Sequence, residues 1–106
     1  MKRIEAERLR ALAGQAKASV RLRANWNLHA GADDPIQRFC NAFRPGTYVR
    51  PHRHPDGTWE CALTLQGAAI AVVFDEGGRL VERVTLAAGG PVYGCEIEAG
   101  AWHTFA

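Results

Sequence analysis

Apolar positions near the start of the chain recur every three to four residues. Leu9 and Leu12, with Ile4 one turn before and Ala16 one turn after, make a single stripe. That spacing belongs to an amphipathic helix. Glu, Ala, Arg, Leu and Gln dominate the segment, and all are good helix formers. A helix is therefore predicted from about Ile4 to Ser19, with Gly14 as a weak point. Beyond it the period changes. Val20 to His29 reads as extended, with Arg21, Arg23, Asn25, Asn27 and His29 on one parity. In a strand those five side chains share one face.

From Ile36 onward, short apolar runs are cut by glycine-rich turns. Strands are predicted over Ile36 to Phe43, Trp59 to Gln66, Ala68 to Phe74, Arg79 to Leu86, Val92 to Glu98 and Ala101 to Phe105, with Thr47 to Arg50 extended. Asp75-Glu-Gly-Gly78 should turn one strand back on the next as a hairpin. Many short strands with regular turn signals point to a mainly β protein, a sandwich or barrel carrying one N-terminal helix. In the strand at Trp59, Cys61, Leu63 and Leu65 share an apolar face. That face needs a cover, either the N-terminal helix or a second copy, and a homodimer is expected.

Composition narrows the partners. The 106 residues make one domain, read as a helix over 1–19 and a β region over 20–106. The net charge is only +2, and Glu5 and Glu7 interrupt the basic residues of the helix. This disfavours nucleic acid as a partner. No apolar run is long enough for a bilayer span and the first residues lack a signal-peptide core, so a cytoplasmic address is expected. Cys40, Cys61 and Cys95 are odd in number and form no Cys-x-x-Cys pair, which fits reduced thiols.

Chemistry concentrates in Gly46-Thr-Tyr-Val-Arg-Pro-His52-Arg-His54-Pro-Asp-Gly-Thr-Trp-Glu60, closed by Gly67. His52 and His54 have strand spacing and point the same way, whereas Arg53 points away. Pro51 and Pro55 stiffen the segment. Asp56-Gly57 should turn the chain so that Glu60 enters the next strand on the face of Ala62 and Thr64. His103 follows near the C-terminus. Three imidazoles and one carboxylate suit a divalent transition metal, with Fe, Mn, Ni and Zn all compatible. His-x-His by itself also fits two surface histidines, and His103 also fits a part-buried histidine behind Trp102. The combined spacing is the more specific signal.

The same spacing resembles the first motif of the cupin superfamily, here Gly46, His52, His54, Glu60 and Gly67. Gly100 and His103 match the second motif, with Glu98 where proline is usual. The stretches Arg23-Ala-Asn25-Trp-Asn27-Leu-His29 and Asp34 to Pro55, with the ending Gly100-Ala-Trp-His103-Thr, resemble the WbuC family of cupin-fold metalloproteins. The resemblance implies a cupin (jelly-roll-like) β-barrel with a metal and further strand after the last histidine. It also implies a setting in bacterial surface-polysaccharide (O-antigen) metabolism.

The remaining candidates concern a small-molecule ligand. Asn25 and Asn27 either hydrogen-bond a polar ligand such as a sugar or face solvent. His29 is either an acid–base group or a satisfied core histidine. Arg38 and Tyr48 either bind an anionic group of the ligand or serve as an exposed arginine and a packing tyrosine. Three activities compete: Lewis-acid chemistry on a sugar or nucleotide sugar, a dioxygenase, and a non-catalytic sugar- or metal-binding module.

Overall fold

The computed structural model describes residues 1–55 and 57–106. Asp56, and with it the turn expected at Asp56-Gly57, lies outside the described residues. The described elements are one helix and seven strands, paired antiparallel throughout, so the protein is mainly β. No helix among the described residues is long and apolar enough to cross a membrane. The chain divides into two compact units, Met1–Tyr48 and Val49–Ala106.

The first unit holds α1 (Ala6–Ala18), β1 (Arg23–Asn27) and β2 (Phe39–Phe43). The helix buries Leu12 and Ala16, two members of the stripe read from the sequence. Ile4, also placed in that stripe, lies ahead of the helix and is exposed. Across the β1–β2 ladder Trp26 stands opposite Cys40, which is buried. The Arg8 guanidinium lies 4.8 Å from the centre of the Trp26 ring, a cation–π contact that joins helix to sheet.

β1 starts three residues later than the alternation of Val20 and Leu22 suggests. The helix must first reverse direction, and it does so in a turn closed by the Leu22 amide donating to the Ser19 carbonyl at 2.9 Å. Leu22 takes a φ of 54°, a left-handed value that no strand residue adopts. Of the five residues expected on one strand face, only Arg23, Asn25 and Asn27 belong to β1. β2 likewise starts at Phe39, because residues 36–38 are drawn into a loop held by Asp34, Gln37 and His29.

The second unit holds β3 (Glu60–Leu63), β4 (Ala68–Phe74), β5 (Leu80–Ala87), β6 (Gly94–Ile97) and β7 (Trp102–Phe105). β4 has the bounds its sequence predicts, and Asp75 to Gly78 return it to β5. One ladder runs β5–β4–β7 and another pairs β3 with β6. Directly opposed residues of an antiparallel ladder share a face. Leu86 and Ala71 therefore lie on the same side as Val73 and its partner His103. Ala71, Leu86 and His103 are buried on that side, and Ile97 of β6 is buried as well. His52 joins the free edge of β7 as an isolated bridge, its amide donating to the His103 carbonyl at 2.9 Å and its carbonyl accepting from the His103 amide at 2.8 Å.

The face of Cys61 and Leu63, expected to be covered, is open. Leu63 is 68% and Leu65 50% exposed, while Glu60 and Ala62 turn inward. Gly94 sits opposite Leu63, and a Cβ there would strike the Ala62 carbonyl and the Leu63 side chain.

A candidate metal centre

The backbone places the four candidate donors by independent means. His103 lies in the middle of β7, flanked by Val73 on one side and His52 on the other. His54 follows on the same parity as His52. Glu60 opens β3, opposite Ile97 of β6. Together the two ladders and the His52 segment bring His52, His54, Glu60 and His103 together, with one donor atom from each lying within 4.8 Å of all the others. The ring centres are 4.4 Å apart for His52 and His103, 5.2 Å for His54 and His103, and 5.3 Å for His52 and His54.

The hydrogen bonds decide which nitrogens face inward. His52 Nδ1 lies 3.1 Å from the Arg50 carbonyl, and His103 Nδ1 lies 2.8 Å from the Ala101 carbonyl. A carbonyl can only accept, so each Nδ1 carries a hydrogen, and in the neutral ring that tautomer leaves the Nε2 lone pair for a metal. His103 Nε2 meets Glu60 Oε2 at 3.3 Å. His54 Nε2 approaches the same oxygen at 2.8 Å. Converging acceptors whose orientation is fixed from behind by backbone carbonyls are the arrangement that imidazole metal ligands require.

The dimensions fit an ion. Donors bound at about 2.1 Å to one centre stand roughly 3.0–4.2 Å apart. The observed spread of up to 4.8 Å is thus within an ångström of a coordination sphere. His103 is 1% exposed, whereas His52, His54 and Glu60 are half-buried, so the cluster could hold a metal ion with one side open to a ligand. Cys95 lies on the inward side of β6, yet burial above all, and then the neighbouring Cys61, Glu60 and Glu82, push its thiol above the ordinary 9.0. Among the described residues it is not one of the converging donors.

The other sequence candidates sit in the first unit. Asn25 and Asn27 are exposed on one face of β1, the Asn25 amide donating to Asn27 Oδ1 at 2.8 Å. Asn41 stands opposite Asn25 on the same face, a residue the sequence reading did not select. His29 Nδ1 lies 2.9 Å from the Arg38 carbonyl and 3.0 Å from the Arg38 amide nitrogen, and its ring meets Phe39 edge-on at 6.2 Å. Arg38 pairs with Asp34 at 2.8 Å. The Ile36 amide, more than the arginine, holds the Asp34 carboxyl below its ordinary 3.8. Tyr48 is 72% exposed, and its carbonyl accepts from Arg23 at 2.8 Å.

Arg53 is the residue the sequence underrated. It leaves the cluster, as its parity requires, but it is not idle. Its guanidinium pairs with Glu76 at 3.1 Å and lies 5.0 Å from the Trp102 ring centre.

Fold and site define a mainly β protein with a three-histidine, one-carboxylate cluster able to take a metal ion. The chain belongs to the family described as a domain of unknown function, DUF6016, whose model matches residues 4–86. That span contains His52, His54 and Glu60. No curated protein and no solved structure matches the chain.

Proposed function

We propose that this protein binds one divalent transition metal through His52, His54, Glu60 and His103 and presents it to a small polar ligand. The observation that carries the reading is the convergence of four donors, two of them locked by Nδ1 hydrogen bonds with Nε2 facing inward. Fe, Mn, Ni or Zn suits this set. Such an ion would act as a Lewis acid on an oxygen-bearing ligand. The chain's own contribution is to hold the donors in place and to leave the half-buried side of the cluster open.

The ligand in this reading is a sugar or nucleotide sugar, consistent with the resemblance to WbuC-type cupins and a cytoplasmic place in surface-polysaccharide metabolism. In the first unit, taken by itself, Asn25 and Asn27 offer exposed amides for hydroxyl groups, and Arg38 and Tyr48 a cation and a phenol for an anionic group. His29, with Nδ1 engaged by the Arg38 main chain, offers Nε2 as an acid–base group. A homodimer covering the open Leu63 and Leu65 face belongs to the same reading.

Titrating metal-free protein with each of the four ions tests the core of the proposal. One saturable equivalent is expected, and weak, non-stoichiometric uptake would sink it. Thermal shifts with nucleotide sugars test the rest, because stabilisation grows with ligand excess over its dissociation constant. A shift of equal size with and without metal would reject the metal as part of the ligand site. Sedimentation should show a dimer that Leu63→Arg dissociates; a monomeric parent protein would remove that element.

A further inference from the structure

We propose that Arg53, Glu76 and Trp102 form a clamp on the far side of the His52–His54 segment that positions His54 for the metal. The inference rests on the metal reading above and concerns residues that touch no donor atom.

Side-chain parity creates the clamp. His52 and His54 face the cluster, so Arg53 between them faces away; His103 faces the cluster, so Trp102 beside it also faces away. Both exits lead to the same place. Glu76, in the turn between β4 and β5, receives both: Oε1 pairs with Arg53 at 3.1 Å and Oε2 accepts the Trp102 indole N–H at 3.3 Å. The guanidinium lies over the indole at 5.0 Å. Each member of this three-sided ring thus touches the other two. Phe74, opposite Trp102 across the β4–β7 ladder, and Pro51 line the cleft beside it.

The clamp stands where backbone support ends. His52 is tied to β7 by two main-chain hydrogen bonds. Among the described residues, no main-chain hydrogen bond holds His54, whose ring meets Glu60, another donor of the cluster. The side chain that anchors this stretch to the rest of the unit is Arg53. It joins the segment to β7 and to the β4–β5 turn at once. Arg53 and Glu76 are 49% and 78% exposed, so the clamp is a modest device rather than a rigid one.

The test is Co(II) binding to the metal-free full chain, read by affinity and by the visible absorption of the bound ion. Arg53→Ala should raise the dissociation constant by about tenfold, as loss of outer-shell support does, and should change the intensity of the Co(II) bands. Arg53→Lys keeps a cation for both Glu76 and the indole and should recover most of the affinity. Glu76→Gln keeps the indole acceptor but removes the ion pair, and it should fall between the two. It also serves if Arg53→Ala does not fold. Arg83→Ala, on the exposed part of β5, is the control and should match the parent protein. Parent-like affinity and spectrum in both Arg53→Ala and Glu76→Gln would overturn the clamp and leave the metal reading intact. Arg53→Lys as weak as Arg53→Ala would also overturn it. Absence of saturable Co(II) binding by the parent protein would overturn both.

Discussion

Replacing His103 with alanine separates what the imidazole does for the fold from what it does for a metal. The main-chain bridge to His52 survives, since it uses only backbone groups. What disappears is a ring that is 1% exposed, its contacts with His52, His54 and Phe105, and its hydrogen bond to the Ala101 carbonyl. A lost hydrogen bond and an unfilled space together cost about 2–4 kcal/mol. At about 4–8 °C per kcal/mol for a chain near this size, the chelated variant should melt on the order of 10–30 °C below the chelated parent protein. Metal adds a second effect. At a free concentration 100 times the dissociation constant, binding stabilises the parent protein by about 2.7 kcal/mol. Losing one of four ligands should weaken binding by at least ~100-fold, and the same concentration then contributes only about 0.4 kcal/mol. Differential scanning calorimetry with chelator and with metal reads both parts. A metal-induced rise in Tm as large in His103→Ala as in the parent would refute the reasoning, because His103 would then not be a ligand.

Gly94→Ala drives a Cβ into the Ala62 carbonyl and Leu63, and backbone cannot swing aside as a side chain can. It should lower stability, read by urea unfolding, by about 1–3 kcal/mol and weaken metal binding through Glu60, which shares β3 with Ala62 and Leu63. Gly100 holds a φ of 77° in the turn that delivers His103, so Gly100→Ala should lose about 1–2 kcal/mol in the same assay. Burial pushes the Cys40 thiol above its ordinary 9.0. The folded chain then keeps that proton to higher pH than the unfolded chain, so the stabilisation is complete below about pH 9 and is lost as pH climbs past it. Thermal melts between pH 8 and 10 should fall less steeply for Cys40→Ala; an unchanged slope would show that the thiol is not the cause.

Much of this was readable from the residues. β4 is a seven-residue apolar run bounded by Gly67 and Asp75, and local signals set both of its ends. The four-donor cluster was readable because each donor carries its own clue: period-two spacing for His52 and His54, an inward parity for Glu60, a turn glycine before His103. The Val20–Leu22 stretch was not, because its alternation mimics a strand while the preceding helix requires a reversal, and Leu22 resolves the conflict with a left-handed φ. Ile36 to Arg38 were lost to a loop whose hydrogen bonds reach back to Ala32 and His29. The clamp was invisible for another reason. Arg53, Glu76 and Trp102 meet only through the pairing of β4 with β7 and the bridge at His52, and no local pattern encodes that meeting. Parity did show that Arg53 leaves the cluster, but not what it would find.

The most direct measurement is the metal content of protein purified without added metal, compared with that of a His52→Ala, His54→Ala double variant. About one equivalent of a single transition metal is expected in the parent protein, and close to none in the variant. Equal content in the two would contradict the assignment of His52, His54, Glu60 and His103 as a metal centre.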